Sequence, residues 1–166
     1  MKCPICGRVM KKSKGSYRYV ESGLDNIILS NIPIYTCACG ETMPEIPHVE
    51  RLHRLIASGL IKKKTLLTGK EIRFLRKEMG LGAKELAAVL GANPVTVSKW
   101  ETGMERIGTA NDRLIRMMYM QTVQEQCQAV FKGVISELRD IKPKEGRRQT
   151  IIIPASDLEK DQPCLV

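Results

Sequence analysis

The sequence predicts an α+β fold: a small β-rich N-terminal domain, an all-helical domain behind it, and a C-terminal helix and short strand. Three observations carry this. Two cysteine pairs near the N-terminus enclose alternating, β-branched segments, and apolar residues then recur at helical spacing through successive segments. Only 4% of the residues are aromatic, so Leu, Ile, Val and Met on helices must supply most of the burial. A chain of 166 residues suits one ordinary domain or two small ones, and 43% hydrophobic content excludes wholesale disorder.

Residues 1–46 form the first unit. Cys3-Pro4-Ile5-Cys6-Gly7 sets two thiols two residues apart with a glycine behind them. After 30 intervening residues Cys37-Ala38-Cys39-Gly40 supplies the second pair. Four thiolates in this arrangement suit tetrahedral zinc, one ion per chain, with Cys3, Cys6, Cys37 and Cys39 as ligands. The rival reading, a redox dithiol, wants a preceding strand and has no use for the second pair. His48 and His53 are conceivable substitute ligands, because Cys-x-Cys is tighter than the common spacing. Tyr17–Val20, Ile27–Ser30 and Ile32–Thr36 read as short strands, broken at Ser22-Gly23 and at Asn31 with Pro33. So small a sheet folds at the expense of metal-binding free energy, which makes the zinc structural; no open coordination position or catalytic Glu motif accompanies it.

Residues 47–65 connect. Val49, Leu52, Ile56 and Leu60 share one face of a helix from about Pro47 to Ile61, and Lys62-Lys63-Lys64 follows as an exposed run that either touches phosphates or is solvated.

Residues 66–119 read as a helix-turn-helix domain. Thr68 and Glu71 make a capping box, with Leu67 and Ile72 as its hydrophobic staple, and Ile72 and Leu75 begin an apolar stripe. A short second helix turns Leu86, Val89 and Leu90 inward, with Ala87 and Ala88 allowing close packing, and stops at Gly91. Asn93 caps a third helix with Pro94 at its first position; Val97 and Trp100 face back and Gly103 ends it. Pro94, Val95, Thr96, Ser98 and Lys99 are left outward at the N-terminal end, where a helix-turn-helix meets base edges in the major groove. Lys70, Arg73 and Lys84 are the basic candidates beside it for the DNA backbone. A generic three-helix packing unit is the blander alternative. LAAVLG and SKWETG resemble the Xre/Cro-type repressor domain, with Gly82 and Ala83 where that family has a Ser or Thr cap and a polar phosphate contact. A further helix opens with Thr109 as cap and Asp112 behind it and carries Leu114, Ile115, Met117 and Met118.

In residues 120–153, Val123, Cys127, Val130, Val134, Ile135, Leu138 and Ile141 form a stripe at spacings of mostly three and four, read as a dimer helix, although folding back onto its own domain is the alternative. Thr150–Ile153 is a β-branched strand without an evident partner in its own domain and is expected to pair across the dimer. Residues 154–166 are expected to be a flexible tail.

CPICG at the start, IPIYTCACGE as a second knuckle, a connecting helix and an Xre-type domain together resemble the MqsA family of antitoxins with its YgiT-type zinc finger, over roughly residues 1–118. The resemblance implies a cytoplasmic dimer that represses its own operon and binds a ribonuclease toxin through its zinc domain; a two-fold dimer in turn predicts a palindromic operator in double-stranded DNA. Where that family places an Asn and an Arg on the reading helix, this chain has Val95 and Lys99, which implies a different operator.

The charge fits: 27 basic against 18 acidic side chains give +9, and residues 61–125 alone hold 12 basic and 7 acidic groups, which suits a phosphate-facing surface. No apolar run long enough to span a membrane and no apolar signal core occur, so a cytoplasmic protein is expected. No combination of nucleophile, base and orienting group appears, so an enzyme is not expected. A zinc-containing transcription regulator without a toxin is the alternative function.

Overall fold

The computed structural model describes residues 1–123, 138, 141 and 150–159. Its order is β1 (Lys11–Arg18), β2 (Ile27–Thr36), β3 (Thr42–Pro44), α1 (Val49–Ile61), α2 (Gly69–Glu78), α3 (Ala83–Leu90), α4 (Pro94–Thr102), α5 (Thr109–Val123), β4 (Ile151–Pro154) and α6 (Ala155–Glu159). The fold is α+β, as the residue pattern predicts.

β2 is the spine of the sheet. β1 lies antiparallel along it from Lys11↔Thr36 to Arg18↔Ile28, with a bulge between Gly15 and Tyr17. The first half of β1 escapes the strand pattern because Lys11, Lys12 and Lys14 stand on a solvent-facing edge, where charge discourages unwanted pairing. β2 itself runs unbroken through Asn31 and Pro33. Asn31 takes a left-handed φ of 59°, which shifts the inward phase by one, so that Ile27, Leu29 and then Ile32 are buried. Pro33 lacks an N–H but its carbonyl still accepts from the Glu45 amide at 2.8 Å.

The edge of β2 opposite β1 is shared. β3 pairs antiparallel with its end, Ile34↔Pro44 to Thr36↔Thr42, and β4 pairs parallel with its beginning, Ile27↔Ile151 to Ser30↔Pro154. This corrects the expectation for Thr150–Ile153: the strand finds its partner within the same chain, in the sheet of the cysteine unit. Ile153 is buried and Ile151 lies against Gly59 of α1, so burial on both sides of the pairing favours it. Part of the expected flexible tail is likewise ordered: α6 buries Leu158 to 1% exposure, and Arg51 donates to the Asp157 carbonyl at 2.9 Å.

α1 lies between sheet and helices, burying Leu52, Ile56, Ala57, Leu60 and Ile61; Val49, assigned to the same face, is exposed. One continuous core runs from Tyr19, Ile27 and Leu29 through Ile56 and Leu60 to Ile72, Leu75, Leu86 and Ile115. The boundaries at 46 and 66 therefore mark changes of element type, while the apolar interior crosses them. Leu138 and Ile141 of the expected dimer stripe are buried in this core within their own chain, and Val123, half-buried, packs against it. Cys127, Val130 and Val134 lie outside the described residues.

Buried ions tie the helices to α1. Arg116 is wholly buried and donates to the carbonyls of Leu60, Ile61, Lys63 and Thr65 at 2.7–3.2 Å; the first two end α1, where the Leu60 carbonyl also takes the Lys63 amide at 3.2 Å. Asp112, four residues earlier and also wholly buried, accepts from Arg116 Nε at 2.9 Å and from the Leu67 amide at 2.7 Å. Asp112 thus serves this junction, and the Gly108 carbonyl, not Thr109, takes the first bond of α5. Lys63, expected to be exposed, is buried because Glu71 receives its ammonium at 2.8 and 3.0 Å. Glu71 also accepts the Thr68 amide at 2.7 Å, so that half of the capping box forms, whereas the Thr68 hydroxyl has no partner.

Candidate metal centre and outward helix face

The two cysteine loops repeat one backbone design. In the first, the Cys3 amide bonds the Arg8 carbonyl at 2.8 Å and the Gly7 amide bonds the Cys3 carbonyl at 2.9 Å. In the second, the Cys37 amide bonds the Glu41 carbonyl at 2.9 Å and the Gly40 amide bonds the Cys37 carbonyl at 3.0 Å. Each count in the second loop is one residue shorter. That accommodates Cys-x-Cys in place of Cys-x-x-Cys, and Gly7 and Gly40, at φ 71° and 93°, make the two turns.

The result is convergence. Cys3 and Cys39 sulfurs lie 3.6 Å apart, Cys6 and Cys37 3.4 Å apart, and all four lie within 4.8 Å of one another. A tetrahedron with metal–sulfur bonds of about 2.3 Å has sulfur–sulfur edges of about 3.8 Å, so the four thiols fit such an ion. The four thiols perturb one another unequally: the Cys39 amide, and then the neighbouring thiols, hold the Cys37 thiol down at about 7, while the Cys39 thiol, against a hydrogen bond from the Glu41 backbone, is pushed up to about 12 by Cys37, Cys6 and Cys3. Cys3 and Cys37 are buried with Met10 in a small separate cluster backed by Tyr35 and Met43, while Cys6 and Cys39 face solvent. Neither histidine joins them. His53 stands between the Tyr19 hydroxyl at 2.9 Å and Glu78 at 2.8 Å, and His48 is an exposed residue with φ 51°.

At the other end, α3, a turn through Gly91 at φ 61° and α4 pack on α2. The Asn93 side chain accepts from the Val95 amide at 2.9 Å, capping α4, and Val97 and Trp100 are its buried anchors. Leu86 and Ala87 face inward from α3 as expected, Leu90 is half-buried, and Val89 and Ala88 are exposed, because the covered stripe of α3 runs through Leu86, Ala87 and Leu90. In α5, Ile115 is buried and Met118 half-buried, whereas Leu114 and Met117 face outward. Arg76 locks α2 to α4: it pairs with Glu101 at 2.6 and 3.0 Å and donates to the Leu81 carbonyl at 2.7 Å. Pro94, Val95, Ser98 and Lys99 are exposed on α4 and Thr96 is half-buried. Lys84 and Arg73 are exposed on α3 and α2; Lys70 is tethered to Asp25 at 3.0 Å, and Lys99 stands 3.8 Å from Glu105.

Arg76–Glu101, Lys63–Glu71 and Arg116–Asp112 escape sequence reasoning, since two of the three pairs join distant positions or cross a loop. Asp112 and Arg116, spaced i, i+4 on a face that also carries Ile115 and Tyr119, were the legible signal.

Fold and site together define an α+β protein with a four-thiol metal-type site on a small sheet and a compact helical unit docked behind it. Residues 1–123 match the family described as the antitoxin component of the bacterial toxin-antitoxin system, MqsA, and the chain belongs to that family. No curated protein and no solved structure matches it. The family match ends with α5, so β4 and α6 lie beyond it. Among the described residues no helix is long and apolar enough to cross a membrane.

Proposed function

We propose that this protein is a DNA-binding repressor and the antitoxin of a type II pair, a regulator and not an enzyme, acting in the cytoplasm as a homodimer on a palindromic operator of its own operon and neutralising a ribonuclease toxin. The observation that carries the DNA-binding part is the face of α4: Val97 and Trp100 fasten the helix from behind, Pro94, Val95 and Ser98 are exposed on its N-terminal half, and Lys99 follows one residue on, exposed and 3.8 Å from Glu105. That is the half a recognition helix inserts into the major groove, with α3, the turn and α4 as the helix-turn-helix. Val95 offers a thymine methyl an apolar surface, Lys99 donates to guanine O6 and N7 as a point charge, and Thr96 and Ser98 add hydrogen bonds. Lys70, Arg73 and Lys84 contact the phosphate backbone. Zinc held by Cys3, Cys6, Cys37 and Cys39, one ion per chain, is structural and fixes the two loops at the end of the sheet; membership of the family supports a toxin as partner of this protein.

Binding titrations on the DNA upstream of the chain's own gene and on random DNA, at one fixed salt concentration, test the reading. Lys99→Ala should cost about 1–3 kcal/mol on the specific site and much less on random DNA. Equal losses on both would show that α4 does not read bases.

A further inference from the structure

A cleft of about 760 Å3 opens where the turn at Ser22-Gly23, from the β1–β2 connection, faces α2 and the C-terminal end of α4. It lies towards the C-terminal end of α4, with Glu105 of its lining 3.8 Å from Lys99. Its lining includes the largely buried Phe74, Trp100 and Ile107, an apolar floor. Three cations, Arg73 and Lys77 of α2 and Arg106 beyond α4, also line it, and none makes a side-chain hydrogen bond or ion pair among the described residues. Of the acids in the same cleft, Glu101 is held by Arg76 at 2.6 Å, while Glu105 is half-exposed and stands 3.8 Å from Lys99. Lys70 is likewise held by Asp25.

We propose that this cleft binds a small organic phosphate of mononucleotide size. Lys77 and Arg106, two cations that the DNA-binding reading leaves unused, stand with Arg73 in a cleft where Glu101 is neutralised by Arg76; the local positive charge is one a compact dianion matches, and Arg106 offers a planar fork suited to phosphate oxygens. The apolar floor calls for an organic moiety beside the anion, and the volume is that of ordinary small-molecule sites. Because Ser22-Gly23 belongs to the sheet and the cations to the helical unit, the occupant bridges the two halves of the molecule.

Calorimetric titration of the full-length protein with adenosine 5′-monophosphate, and separately with inorganic pyrophosphate, tests this, and Trp100 fluorescence provides a second readout at the site. The nucleotide should bind with Kd of about 1 mM or tighter, and Lys77→Ala and Arg106→Ala should each weaken it about tenfold, as the loss of one charge-assisted contact requires. Lys14→Ala, on the outer edge of β1, should leave it unchanged. Absence of nucleotide binding up to about 10 mM overturns the proposal, as does an equal effect of Lys14→Ala, which would mark a diffuse electrostatic response. Pyrophosphate binding without nucleotide binding overturns the organic part. If the two cleft variants weaken only DNA, the cations serve the DNA backbone and the small-ligand site does not exist.

Discussion

Replacing Arg116 by Met should remove much of the stability of the protein. The side chain is wholly buried and serves five partners at once: four backbone carbonyls between Leu60 and Thr65, and the Asp112 carboxylate. Met matches the length of the stem but not the fork, so Asp112 is left as a buried carboxylate held by the Leu67 amide alone, and the end of α1 loses its cap. Breaking a buried ion pair from one side costs about 3–5 kcal/mol. Domains are stable by about 5–15 kcal/mol, so the loss is at least about a fifth of the total and, at the lower end of that range, most of it. Urea unfolding followed through Trp100, the single tryptophan, should show the midpoint falling by about 2 M at an ordinary slope. Asp112→Asn added to Arg116→Met removes the stranded charge, so the double variant should be more stable than the two single losses summed, by about 1–2 kcal/mol. A loss below about 1 kcal/mol for Arg116→Met, or strict additivity in the cycle, would refute the reasoning.

Chelation should expose the Cys3, Gly7, Cys37 and Gly40 amides to hydrogen exchange while residues 27–30 of β2 stay protected, because those sit in the main core with α1 and β4; simultaneous loss in both regions would contradict it. Gly69→Ala should destabilise by about 1–3 kcal/mol in thermal melts, since a Cβ there would lie 2.3 Å from the Trp100 carbonyl oxygen and 2.6 Å from that of Glu101, both backbone atoms; an unchanged Tm would show that α2 and α4 can part. Burial, and then the nearby Glu78, pushes the Tyr119 hydroxyl up to about 12 from an ordinary 10. The folded state therefore holds this proton more tightly than the unfolded chain. Its contribution is fully present below pH 10 and lost as pH rises towards 12, and alkaline denaturation should become less steep in that window in Tyr119→Phe.

Local patterns in the sequence were sufficient for whatever depends on neighbours along the chain. The cysteine spacing indicated four thiols with a common purpose, the apolar periodicity indicated α1, α2, α4 and α5, and Asn93, Pro94, Gly91 and Gly103 marked helix ends, because caps and turns are decided within a few residues. Only the tertiary structure decided what lies against what. Lys63 reads as solvated by composition, yet Glu71 draws it inside; Val89 reads as core, yet among the described residues nothing covers its side of α3. The strand at 151–154 reads as an orphan because its partner, β2, lies more than a hundred residues earlier, and no local periodicity records which edge remains open. Arg116 and Asp112 show the reason most plainly: an i, i+4 pair on a helix is ordinarily a surface feature, and it becomes the joint of this fold only once the end of α1 arrives to be capped.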